Sequence, residues 1–200
     1  MADLRMCRVE SPSRIGPLAV TLATASAKPH GLLTLGFLSV LQEANGWLGG
    51  YLVTNGWGRP LEFRLTTAVQ PNRVQTVLYG PTLTEYIHAD VIGKTLVEKT
   101  TTKPDLIVTD SLPVLALRSR IEIPVVAVGS PPETLTELIA FPHIRSSGHL
   151  LLARKFESDR DRIIALLDQV DSAVDLAEPF SRVREAVAEA RKMGVTNRAA

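Results

Sequence analysis

Leu106, Ile107 and Val108 form a short run without a polar position, closed by Thr109 and Asp110, and a second such run, Val125 to Val128, follows some fifteen residues later. Continuous apolar runs of this length suit strands buried on both faces, and the segment between them has the length of a short helix. The pattern predicts two adjacent, parallel, interior strands. Asp110 then stands at the carboxyl end of the first, where open α/β sheets gather their functional groups.

Upstream, the pattern predicts strands over 18–25, 32–41 and 47–54, with a turn over 28–31. Asn55-Gly56 supplies the positive backbone angles of a tight hairpin. In the next strand Leu61, Phe63 and Leu65 alternate with Glu62, Arg64 and Thr66, the two-residue period of a strand with one wet face. These strands make an antiparallel meander. The period then becomes helical: Thr82-Leu83-Thr84-Glu85 has capping-box spacing, and Leu83, Ile87, Val91 and Leu96 trace one face toward Thr100. Strands over 105–109 and 124–128 flank a helix over 112–118. Ser130-Pro131-Pro132-Glu133 has capping-box spacing too and predicts a helix that ends before Pro142. After a short strand over 150–153 come a helix over 158–170 and another from Pro179, whose stripe is Phe180, Val183, Val187, Ala190 and Met193 and whose end is Gly194.

The expected fold is therefore α/β: a mixed sheet with an N-terminal three-strand meander followed by parallel strands, plus a C-terminal helical hairpin. The domain reading is a flexible arm over 1–14, a core over 15–155 and the helical hairpin over 156–196, packed on the core.

Composition narrows the function classes. A chain of 200 residues, 45% hydrophobic and 22% charged, is ample for one core. With 22 basic and 21 acidic residues the net charge is +1, so bulk electrostatics gives no support to a nucleic-acid partner or an anionic membrane. The single cysteine, Cys7, excludes an internal disulfide framework and fits a reducing compartment. No apolar run reaches membrane-span length, and Asp3, Arg5, Arg8, Glu10 and Arg14 interrupt any signal peptide. A soluble, cytoplasmic protein is expected.

Local chemistry is sparse. His30, His88, His143 and His149 show no metal-ligand spacing, although His88 and Glu85, three apart, share a helix face. Ser111 follows Asp110 but lacks the flanking glycines of a nucleophile elbow. No glycine-rich phosphate loop occurs. Gly129 and Ser130, at the start of the helix expected after a buried strand, would offer backbone N–H groups to an anion. Trp47 and Trp57 fall on one hairpin and would form a contact surface for a protein partner.

The order of elements resembles the ribonuclease H-like fold. The segment from Pro81 to Glu85, Lys103-Pro104-Asp105 through Asp110, and Ile123-Pro124 through Gly129 together are most similar to endonuclease V and its relatives. This resemblance implies two divalent metals, magnesium or manganese, held by acidic side chains, and assigns Asp110 and Glu85 as catalytic acids. The family's first-strand acid would fall around Gly36 to Ser39, yet no carboxylate lies between Glu10 and Glu43. The expectation is thus a non-catalytic or degenerate ribonuclease H-like protein that works through a protein partner or as a homo-oligomer, with no cofactor and no metal. One alternative is an active nuclease whose missing acid is replaced by Glu43 or Glu62. Another is an anion- or small-molecule-binding domain using Asp110, Gly129 and Ser130.

Overall fold

The computed structural model describes residues 33–44, 46–132 and 136–194. The arm over 1–14 with Cys7, the strand over 18–25 and the turn over 28–31 lie outside the described residues. Seven strands, β1 (Thr34–Glu43), β2 (Gly46–Asn55), β3 (Pro60–Leu65), β4 (Leu106–Thr109), β5 (Val125–Gly129), β6 (Leu138–Pro142) and β7 (His149–Ala153), form one mixed sheet in the order β3-β2-β1-β4-β5-β7-β6. β1 runs antiparallel to β2 and parallel to β4, with Leu38 opposite Thr109. β4 is parallel to β5, with Ile107 opposite Val125, so both expected interior strands are present.

Side chains alternate across the strands, and each face is covered by helix. Phe37, Leu52 and Val108 pack with Ile163 and Leu167 of α4 (Arg160–Leu167) and with Phe180, Val183 and Val187 of α5 (Glu178–Lys192). Burying each of these larger α5 side chains contributes roughly 1.5–3 kcal/mol. On the other face Leu38, Tyr51 and Ile107 meet a helix made of α2 (Leu83–Glu85), a π-helical segment (Tyr86–Gly93) and α3 (Lys94–Lys99). A 3-10 helix, Leu112–Ser119, completes that layer. Two neighbouring glycines of β2 let the layers approach. A Cβ on Gly49 would run into Ile92 of the π segment, and one on Gly50 would stand 2.6 Å from Val183 Cγ1 of α5.

Several expectations need correction. Residues 138–142 are strand β6, paired throughout with β7, where a helix was expected; Leu138, Ile139 and Phe141 are at ease in a ladder, and cross-strand pairing outweighs the capping pattern. The β2–β3 connection takes its positive φ at Gly58, +74°, while Asn55 acts through its side chain, accepting from the amides of Trp57 and Arg59. Thr82 makes no cap, because its hydroxyl donates to Tyr79 O. The supposedly wet side of β3 is covered as well: Glu62 is 5% exposed and Thr66 fully buried. Met193, expected in the α5 stripe, is 69% exposed beyond the end of that helix.

One helix went unpredicted. α1 (Arg73–Tyr79) begins with a complete capping box, in which Asn72 Oδ1 accepts from Gln75 N at 2.8 Å and Gln75 Oε1 accepts from Asn72 N at 3.0 Å. None of its residues is buried.

Candidate functional site

The carboxyl ends of β1 and β4 lie side by side, so Ser39 of β1 and Asp110, just past β4, are neighbours. Ser39 Oγ donates to Asp110 Oδ2 at 3.0 Å, and Arg184 Nη1 of α5 donates to the same oxygen at 2.7 Å. Arg184 follows the buried Val183, which puts its guanidinium at the rim of the α5 contact. The Asp110 side chain is 24% exposed and that of Arg184 50%, so the ion pair is open to solvent on one side.

Ser111 starts a second group on the opposite face. Its amide donates to Thr109 Oγ1 at 3.1 Å, and its hydroxyl lies 2.9 Å from His88 Nδ1. The π segment carries His88, and the Trp47 ring crosses the imidazole edge-on at 4.5 Å between centroids. Burial pushes the imidazole down to about 4, so it is neutral at physiological pH. Its Nε2 is buried with no hydrogen-bond partner among the described residues. The spacing is that of a hydroxyl and its base, but a base this weak extracts little from a serine at neutral pH. The amide of Ser111 is already committed to Thr109 and cannot stabilise an oxyanion. The contact therefore ties the helix to the end of β4.

The remaining predicted residues do not join Asp110. Glu85 is exposed on α2, where Arg120 is its charged neighbour; Arg120 itself binds Asp90 at 2.6 Å. Glu43 pairs with Arg191. Glu62 accepts from the amides of Thr101 and Thr102, each at 3.0 Å, and from Arg64 Nε at 2.6 Å, so it pins the loop before β4. Among the described residues no group of three or more His, Cys, Asp or Glu converges. Gly129 pairs with His149 of β7, and the helix expected to start near Ser130 does not form in 136–142, which turns into β6. The two tryptophans are separated by the length of β2, roughly 30 Å. Trp47 bridges Val69 and is partly covered, whereas Trp57 sits 54% exposed in the hairpin turn.

Ser39 was legible only as the place of a missing acid. Arg184 carried no signal, because an arginine beside a buried stripe is what any amphipathic helix presents. No helix among the described residues is long and apolar enough to cross a membrane. No model of a known protein family matches the chain, and no curated protein matches it.

Proposed function

We propose that this chain is a ribonuclease H-like protein without metal-dependent cleavage, which acts through protein contacts. The observation that carries the reading is the surroundings of Asp110: a serine hydroxyl and an arginine stand where a two-metal centre needs further carboxylates. A dication at this carboxylate would meet the like charge of a guanidinium bonded to Oδ2 at 2.7 Å. Support for the fold comes from the order β3-β2-β1-β4-β5, from the helix between β3 and β4, and from Asp110 at the end of β4. α4 and α5, which contribute to one apolar layer, serve as the C-terminal helical pair of that reading.

The test is cleavage of single- and double-stranded DNA and of RNA by the full chain in magnesium or manganese. The expected result is no activity above an Asp110→Asn control. Metal-dependent cleavage that disappears in a folded Asp110→Asn protein would overturn the reading.

A further inference from the structure

We propose that Asn55 and Gly56 form a latent site of covalent modification, at which the backbone converts to isoaspartate only when the β2–β3 hairpin opens. The Gly56 nitrogen gives its proton to hydroxide and attacks Asn55 Cγ, forming a C–N bond. The bond from Cγ to the side-chain nitrogen breaks; that nitrogen keeps the electron pair, takes a proton from water and leaves as ammonia, which restores the hydroxide. Water then opens the five-membered imide at either carbonyl, giving aspartate or isoaspartate. Glycine at 56 has no side chain to obstruct the ring closure, so the pair is reactive wherever the chain is open.

Closed, the hairpin denies each requirement of that chemistry. Asn55 is the last residue of β2 and pairs with Thr34 of β1. A strand ψ of roughly +135° turns the Gly56 nitrogen away from Cγ, whereas the imide ring needs roughly −120°, where that nitrogen eclipses Cβ. The side chain is not free to follow, because Oδ1 accepts from the amides of Trp57 at 3.1 Å and Arg59 at 3.0 Å. The turn is held too: Asn55 O accepts from Gly58 N at 2.9 Å, and Gly56 O accepts from Asp171 N at 2.9 Å, which ties the turn to the segment after α4. Gly56 is buried, with Leu33 and the Gln169 carbonyl against it, so its N–H is shielded from hydroxide. Isoaspartate adds a backbone carbon at this link, and the Thr34 pairing and the two-amide clamp then no longer fit together. The chain would keep a permanent record of having opened here.

Peptide mapping of the full chain after incubation in mildly alkaline buffer, folded or unfolded in urea, tests this. The sequence holds one other Asn-Gly pair, Asn45-Gly46, which serves as the clock in urea, where both pairs should convert at similar rates. In the folded chain Asn55 should convert at least about a hundredfold more slowly than in urea, as for a hairpin open in fewer than about one molecule in a hundred. Gly58→Ala puts a side chain at φ +74°, where its Cβ would lie 3.3 Å from Val174 Cγ2. In urea just below the unfolding transition, where the parent converts measurably, this variant should convert about fivefold faster at Asn55, with its rate in full denaturant unchanged. If the variant does not fold, a urea series on the parent gives the same reading, because the rate at Asn55 should rise with the fraction of open chains. A smaller ratio between unfolded and folded parent, an Asn55 that stays intact in urea while Asn45 converts, a folded Gly58→Ala chain no faster than the parent, or a rate indifferent to the open fraction overturns the proposal.

Discussion

Replacing Ser39 by Asp and Arg184 by Ala converts the corner at Asp110 into a pair of facing carboxylates. At present that corner holds a hydroxyl–carboxylate bond of 3.0 Å and a guanidinium–carboxylate bond of 2.7 Å. Two like charges about 4 Å apart repel by about 4 kcal/mol at an effective dielectric constant of 20. The Asp110 side chain is 24% exposed, and solvent screening brings the repulsion to about 2 kcal/mol. Loss of the partly exposed Arg184 pair adds roughly 0.2–1 kcal/mol. For a chain of this size the sum lowers the melting temperature by roughly 5–10 °C. A dication held between the carboxylates at a hundred times its dissociation constant would return about 2.7 kcal/mol, enough to erase the loss. The assay is thermal unfolding of parent and double variant with and without manganese. The parent should be indifferent to the metal and the variant rescued by it. A variant that melts at the same temperature with and without manganese would refute the view of this corner as a metal site filled by serine and arginine.

Burial pushes the Glu62 carboxyl up, but the amides of Thr102 and Thr101 and the Arg64 guanidinium outweigh it and hold the group below its ordinary value. Its contribution is therefore present at neutral pH and fades as pH falls below about 4.3, toward the lowered folded value; Glu62→Gln should lose roughly 1–3 kcal/mol at pH 7 in chemical denaturation and flatten the acid limb. His88, held down to about 4 by burial, takes up its proton more readily when unfolded. Stability should thus fall by up to about 3 kcal/mol between pH 6.5 and 4, a slope that should be missing from His88→Gln melts. Gly49→Ala and Gly50→Ala should each destabilise by roughly 1–3 kcal/mol, because the added methyl meets Ile92 or Val183, and equal melting temperatures for variants and parent would contradict the packing.

The interior of the sheet was readable because burial on both faces leaves a plain mark: Leu106 to Val108 and Val125 to Val128 admit no polar side chain. Elements set by distant partners left a misleading one. Leu138 to Phe141 reads as a helix after its capping pattern, and only pairing with β7 makes it a strand. Glu62 looked wet because alternation records the sequence of one strand, not the loop at Thr101 and Thr102 that closes over it. α1 was overlooked for a related reason. Its apolar residues face water, and its capping box, Asn72 to Gln75, uses asparagine and glutamine in place of the Thr-to-Glu pair sought further along the chain. At the candidate site, Asp110 followed from the end of a strand, while its two partners come from 71 residues upstream and 74 downstream. Pairings over such separations are properties of the assembled sheet and have no local trace.

Between Tyr86 and Gly93 the helix carries more residues per turn than the α-helical pieces on either side. Both ends are anchored, at the partly buried Leu83 and at the fully buried Leu96. A one-residue deletion between them would relax the segment toward ordinary α-helix while the anchors stayed in place. Such a deletion upstream of His88 would keep the imidazole in register with Leu96, and one downstream would keep it in register with Leu83. The wide turn is thus the place where this helix can lose a codon while the contacts at both of its ends hold.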